Sequence, residues 1–213
     1  MGGGLRSPHT LQLQDLGETE RGLPYLVFPW LDGRPLGDAL ALHPEVARDV
    51  ALQVIESLEE AHSSGVIHGN LKPSNVLAIP RRGWGFHICV SDYALTRRYG
   101  AHAEDDVSDA DGEALGSPRY MAPEQLMSRP VGPVTDLYSL GLILAEALTG
   151  ERLYPEGMSP LAVANRAASA APVPLSEGVR TGALGAVLAV AVQKDPTRRY
   201  QSCSAMRRAL LGG

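Results

Sequence analysis

The chain has 213 residues, with 19 Lys+Arg against 24 Asp+Glu for a net charge of -5, 44% hydrophobic residues and 20% charged ones. These are ordinary globular values, and a chain of this length buries about 70% of the surface its unfolded form exposes, which argues against disordered, collagen-like and coiled-coil classes. Mild acidity without a Lys/Arg stripe argues against nucleic-acid binding, because nothing is there to replace the counterions of a phosphate backbone.

In chain order, Thr10 to Leu16 alternates apolar and polar residues and Leu23 to Phe28 is rich in β-formers. The polar stretch Gly17 to Gly22 between them predicts a β-hairpin. From Pro44 the spacing becomes helical: Val46, Val50, Val54, Leu58 and Ala61 recur near every fourth residue, and Gly65 is placed to end an amphipathic helix. Two short β-type runs follow, Asn75 to Ile79 and Phe86 to Val90, around the turn Pro80-Arg81-Arg82-Gly83. The stretch Gly100 to Glu113 carries Glu104, Asp105, Asp106, Asp109, Asp111 and Glu113 and reads as a solvated loop. Asp136 to Leu148 and Gly182 to Val192 are apolar on nearly all sides and predict buried helices, with Ala171-Pro172-Val173-Pro174 as a loop between helices.

The cysteines Cys89 and Cys203 are far apart and in no metal-ligand spacing, which suits a reducing compartment. The longest apolar run, Ala183 to Val192, is too short to span a bilayer. The N-terminus, Met1-Gly2-Gly3-Gly4-Leu5-Arg6, lacks a signal-peptide core and has Arg6 where a myristoylation motif wants Ser or Thr. A cytoplasmic protein, without membrane or nucleic-acid partners, is expected.

Polar clusters then fall in a fixed order: His68-Gly69-Asn70-Leu71-Lys72-Pro73-Ser74-Asn75, Asp92-Tyr93-Ala94, Gly116 to Glu124 ending in Met121-Ala122-Pro123-Glu124, and Asp195-Pro196-Thr197-Arg198-Arg199-Tyr200. This order resembles the eukaryotic-type (Hanks-type) protein kinases, in the flavour of the bacterial Ser/Thr kinases, from about Ser7 to Leu211. The resemblance implies an α+β, mainly α fold: residues 1–31 as a remnant N-lobe of two strands and hinge, and residues 32–213 as the helical C-lobe, with the activation segment at 92–124.

In such a kinase the catalytic loop reads H-R-D-L-K-P-x-N, where the Asp accepts the substrate hydroxyl proton, the Lys neutralises the transferring phosphate and the Asn holds Mg²⁺. Lys72 and Asn75 match, but Asn70 stands at the Asp position and Gly69 at the Arg position. A neutral amide cannot act as a carboxylate base, and loss of a general base costs about 10²–10⁴-fold. The missing Arg removes the usual receiver of activation-loop phosphate, so Ser108 is not expected to act as a switch. Asp92 keeps the Mg²⁺-binding carboxylate, whereas Ala94 replaces a Gly. By resemblance Phe28 is the gatekeeper, Pro29-Trp30-Leu31 the hinge, with the Leu31 N–H facing adenine, and Leu77 the apolar floor.

Upstream of Ser7 the family's Gly-rich loop, V-A-I-K lysine and partner Glu have no counterpart. The resemblance therefore implies at most weak ATP and Mg²⁺ binding, and a truncated, catalytically impaired pseudokinase acting as a binding or regulatory module. The alternative is a Ser/Thr kinase whose N-lobe comes from upstream sequence or another chain. A further alternative rests on His68-Gly69-Asn70, which is close to the H-G-D of small-molecule phosphotransferases, but Met121 to Glu124 and Asp136 to Gly141 favour protein kinases. Glu124 with Arg199, Asp136 and His68 are expected to be structural. The hairpin, with free edges and with Leu11, Leu13, Leu26 and Phe28 lacking cover, is expected to dock a protein partner or to self-associate.

Overall fold

The computed structural model describes residues 4–38, 41–93 and 118–212. The acidic stretch 100–113, Ala94, Ser108 and Ser117 lie outside the described residues. The chain forms a hairpin of β1 (Asp15–Glu18) and β2 (Pro24–Val27), then β3 (Arg34–Pro35), then the long helix α1 (Pro44–Ser63). Strands β4 (Val76–Pro80) and β5 (Phe86–Val90) come next, and then a helical run: α2 (Pro123–Leu126), α3 (Pro133–Thr149), α4 (Pro160–Ala168), α5 (Glu177–Thr181), α6 (Gly185–Ala191) and α7 (Cys203–Leu210). Two separate sheets result, β1-β2 and β3-β4-β5, all antiparallel.

Helix α3 is the centre of the molecule because its sequence leaves no polar face: every residue from Thr135 to Ala147 is buried. It packs on α1, α6 and α7. Gly141 lets α6 approach, since a Cβ there would lie 2.9 Å from Ala191 Cβ and from Val192 Cγ1. Helix α1 buries the face carrying Val50, Val54, Leu58 and Ala61, as its period predicts, and stops two residues before Gly65. Among the described residues no helix is long and apolar enough to cross a membrane.

The hairpin departs from its predicted bounds. Thr10 to Gln14 is not a strand of the β1-β2 ribbon: its first residues are spent on β5, where Leu11 N–H donates to Val90 O at 2.8 Å, Val90 N–H to His9 O at 2.8 Å and Thr10 bridges Val90 in parallel, and only Gln14 N–H reaches the ribbon, at Val27 O, 2.8 Å. The ribbon starts at Asp15, and the turn closes through Thr19, whose N–H donates to Leu23 O and whose Oγ1 accepts the Leu23 N–H. The segment before it is clamped to α1 by Glu60, whose two carboxylate oxygens accept the N–H groups of Arg6 and Ser7 at 2.6 Å each. The ribbon itself stays open: Leu16 is 67%, Leu26 42% and Trp30 95% exposed, while Leu11, Leu13 and Phe28 are half-buried.

The short helices α4 and α5 are additions to the sequence reading. Each is capped by a serine hydroxyl, Ser159 accepting from Ala162 N–H and Ser176 from Val179 N–H. The Pro172–Pro174 stretch lies between them, as expected.

Candidate active site

The site residues meet at one end of the β4-β5 ribbon. Val76 pairs with Val90 there, and Ser91 N–H donates to Asn75 O at 2.9 Å, so Asn75 just before β4 and Asp92 two residues past β5 lie at the same end of the ladder. The loop between α1 and β4 comes to the same end through His68, whose Nε2–H donates to Ser91 O at 2.9 Å. His68 Nδ1 accepts the Asn70 N–H, so the ring is the neutral Nε2–H tautomer. Burial lowers its pKa below the ordinary value, although Asp136, the Ser91 carbonyl and Asp92 pull the other way.

Asp136 on α3 fixes the loop's backbone. Its Oδ2 accepts His68 N–H at 2.9 Å, its Oδ1 accepts Gly69 N–H at 2.8 Å, and His62 Nε2 on α1 donates to it at 2.7 Å. Gly69 sits at φ 69°, a left-handed conformation that costs glycine little, and its carbonyl accepts from Gln125 Nε2 at 2.6 Å. Gln125 also receives the Ala122 N–H, so one side chain ties the start of α2 to the loop. Its place directly after Met121-Ala122-Pro123-Glu124 was the available signal, and sequence reasoning passed over it.

Asn70, Lys72 and Asn75 thus sit in a loop held from three sides. Asn75 is 4% exposed and its Nδ2 donates to Asn70 O at 2.9 Å, which leaves its Oδ1 facing the hydroxyl of Ser74. Lys72 precedes the 3-10 turn Pro73–Asn75 in extended geometry. Asp92 is one of two non-glycine residues with positive φ among the described residues, at 65°. Such strain is tolerated by Asp better than by most residues and collects at functional sites. Its Oδ2 accepts from Ser91 Oγ at 3.3 Å. Of the adenine-side candidates, Leu77 lies in β4 opposite Cys89 and Pro35, and Leu31 is half-buried in the crossing from β2 to β3.

Tyr93 completes the arrangement from below. Its ring packs on His68 with centroids 4.7 Å apart, and its hydroxyl bonds Ser57 Oγ at 2.6 Å, which in turn bonds Thr10 Oγ1 at 2.6 Å. Burial raises the Tyr93 pKa, with the Ser57 bond opposing. The relay was missed in the sequence, although Ser57 on the buried face of α1 is the kind of polar residue that demands a partner.

The segment following the site is anchored by Glu124 and Arg199. The guanidinium reaches both carboxylate oxygens, at 2.7 and 2.8 Å, donates through Nε to Gln193 O, and stacks over Tyr138 at 4.5 Å from the ring centroid. Thr135 Oγ1 adds a bond to Glu124 at 2.9 Å. Burial would raise the Glu124 pKa, but hydrogen bonds from Arg199, its own backbone and Thr135 together hold it below the usual carboxylate value.

The donor set fits a hard cation. Asp92 and Asn75 offer a carboxylate and a carboxamide oxygen. That suits Mg²⁺, which takes one or two protein oxygens and completes its shell with phosphate and water. When bound, Mg²⁺ would neutralise phosphate charge between Asp92 and Asn75. Asn70 carries a neutral carboxamide, whose Oδ1 does not take up a proton as a carboxylate would.

Comparison with known proteins shows the family of the chain. The protein kinase domain family matches residues 3–209. Among curated relatives, the chain is 35% identical over 192 residues to the serine/threonine-protein kinase Pkn1 of Myxococcus xanthus, covering 88% of this chain and 27% of that protein. It is 31% identical over 217 residues to PknB of Mycobacterium leprae, covering 97% of this chain and 33% of that one. The chain therefore spans a third or less of these relatives. The kinase domain of Mycobacterium tuberculosis PknI shares the fold with a TM-score of 0.71 at 21% identity, over 99% of this chain and 74% of that one. This chain belongs to the protein kinase domain family, of the Hanks type found among bacterial Ser/Thr kinases.

Proposed function

We propose that this kinase domain is impaired in phosphotransfer and acts in the cytoplasm as a binding or regulatory module. One observation carries the reading: a carboxamide, Asn70, occupies the proton-accepting position of a loop whose scaffold is otherwise intact, from Asp136 to Gly69 and His68. Positioning survives and proton transfer does not, which separates binding from catalysis. Asp92 and Asn75 support weak binding of Mg²⁺ and ATP, with Leu31 and Leu77 on the adenine side.

The partner-docking element of this reading is the β1-β2 ribbon, whose edges are unpaired by any strand of the described residues and whose Leu16, Leu23, Tyr25 and Leu26 are exposed. Strand addition by a protein partner, or self-association, covers it. Sedimentation velocity across a concentration series reads self-association directly, and a monomer whose ribbon resists proteolysis and binds no partner argues against this role.

Thermal-shift titration with ATP, with and without Mg²⁺, followed by a phosphotransfer assay with Mg²⁺-ATP and Mn²⁺-ATP, tests the main reading. A small shift or none, and no transfer, is expected. Transfer that disappears on Asp92→Ala would overturn it.

A second reading is favoured by the retention of Lys72, Asn75 and Asp92 and by relatives named as Ser/Thr kinases. Here the domain transfers the ATP γ-phosphate to protein hydroxyls, using N-lobe elements from upstream sequence or another chain. Charge neutralisation and positioning supply much of phosphoryl-transfer catalysis. A Gly-rich loop and a V-A-I-K-like stretch encoded upstream in frame, together with a rate gain of about 10²-fold or more on Asn70→Asp, would favour it over the first.

A further inference from the structure

A second concave surface shares no residue with the site built on Asn70, Lys72, Asn75 and Asp92. It is a groove of about 440 Å³ between the α2 segment, the end of α4 and the chain leading to α7. Its floor is apolar, formed by Met127, Pro130, Ala168 and Pro196, and its polar groups include Arg129 and Lys194. Met127 in the groove remains 39% exposed, and Val131, which follows Pro130 in the chain, 49%.

The charges at this groove are unbalanced in a chain of net charge -5. Among the described residues, no carboxylate forms an ion pair with Arg129, Lys194 or the neighbouring Arg166. The carboxylate that lines the groove, Glu124, is consumed by Arg199 and Thr135. Asp195 lies next to Lys194 in sequence but turns its oxygen to Thr197, accepting from both N–H and Oγ1. Lys194 Nζ donates to Ala167 O at 2.6 Å, a bond that leaves two ammonium protons for another acceptor. Burial above all, with Arg166 and then Arg199 adding to it, brings the Lys194 pKa down to about 8.

We infer that this groove docks an acidic peptide segment of a protein partner, with an apolar side chain on the Met127–Pro130 floor and its carboxylates on Arg129 and Lys194. An apolar ligand alone would leave the cations unpaired, and a small inorganic anion would leave the floor wet. A peptide carrying both features satisfies both.

The test is fluorescence polarisation of a labelled dodecapeptide with a central Leu flanked by Glu and Asp, against its Gln/Asn counterpart. The acidic peptide is expected to bind, to weaken about tenfold as salt shortens the Debye length from about 10 to 3 Å, and to lose at least about tenfold in affinity on Arg129→Glu, as like charge replaces complementary charge. Arg129 is exposed, so this variant should melt as the parent does, and it decides the matter if Lys194→Glu fails to fold. Equal binding of the amide peptide, or affinity indifferent to Arg129→Glu, overturns the inference. So does full displacement by inorganic phosphate, which would mark a small-anion site instead.

Discussion

The carboxylate of Asp136 accepts the Gly69 N–H at 2.8 Å while its other oxygen accepts the His68 N–H at 2.9 Å, so a residue on the central helix α3 sets the backbone of the loop that carries Asn70. His62 adds a third bond from α1. Asp136 is 1% exposed, and water cannot replace these contacts. Asp136→Ala leaves two buried N–H groups and an imidazole unpaired, at about 1–3 kcal/mol for each orphaned group. The denaturant midpoint should fall accordingly, and Asp136→Asn, which keeps one acceptor oxygen, should fall less. An unchanged midpoint in the Ala variant would mean that the loop is held by other contacts.

Acid should weaken this fold in two stages, with the same sign in each. His68 is held neutral below its ordinary value of 6.5, so the unfolded chain takes up a proton that the folded chain refuses, and stability declines as pH falls below that value. Glu124 is held below its ordinary 4.5, so its contribution is complete above that value and is lost as pH falls through the lower folded one. Urea unfolding at a series of pH values should show a decline starting near the histidine range and steepening in the carboxylate range. Glu124→Gln should flatten the lower stage. A His68 ring that titrates at or above its ordinary value by NMR would contradict the first stage.

Much of this architecture was readable wherever a periodic pattern coincided with burial. Val50, Val54, Leu58 and Ala61 marked α1, and the stretch Asp136 to Leu148, apolar on nearly all sides, marked α3, because each helix meets neighbours on the side its sequence declares. The hairpin was misplaced by a few residues because an exposed ribbon has no buried face to fix its register. In the site, Asp136, Glu124 and Arg199 were legible through motif spacing. The chain Thr10–Ser57–Tyr93 was not, since its hydroxyls lie 47 and 36 residues apart and nothing local pairs them. Nor was the groove at Lys194, which depends on which carboxylates fail to arrive.

Cys203 is tied to the same scaffold. Its Sγ lies 3.4 Å from His62 Nδ1, and burial, followed by the charges of Glu59 and Asp136, pushes the thiol pKa up to about 12. The thiol therefore keeps its proton and donates it to the imidazole that faces Asp136. Both cysteines are buried, so neither should react with a disulfide reagent in the folded chain and both should react in denaturant. Cys203→Ala, which orphans Nδ1, should cost about 1–3 kcal/mol, and Cys203→Ser, which keeps a donor, should cost less. Fast labelling of Cys203 under native conditions would be incompatible with this geometry.

Lys72 and Lys194 are the only lysines in the 213 residues, so amine chemistry reads the groove almost without background. With its pKa brought down to about 8 by burial, Arg166 and Arg199, the Lys194 ammonium loses its proton well below the ordinary 10.5. Between those values the unfolded chain holds a proton that the folded chain has released, so this residue's penalty on folding is largest below the lower value and is relieved as pH rises through the interval. Acylation of Lys194 in the folded chain, followed by peptide mass spectrometry, should accelerate through pH 8, whereas in denaturant the rise should come near the ordinary value. Arg166→Gln removes one of the like charges and should move the folded rise upward. If the folded profile followed the denatured one, the ammonium would be hydrated and the crowding of cations at this groove would be an incorrect description.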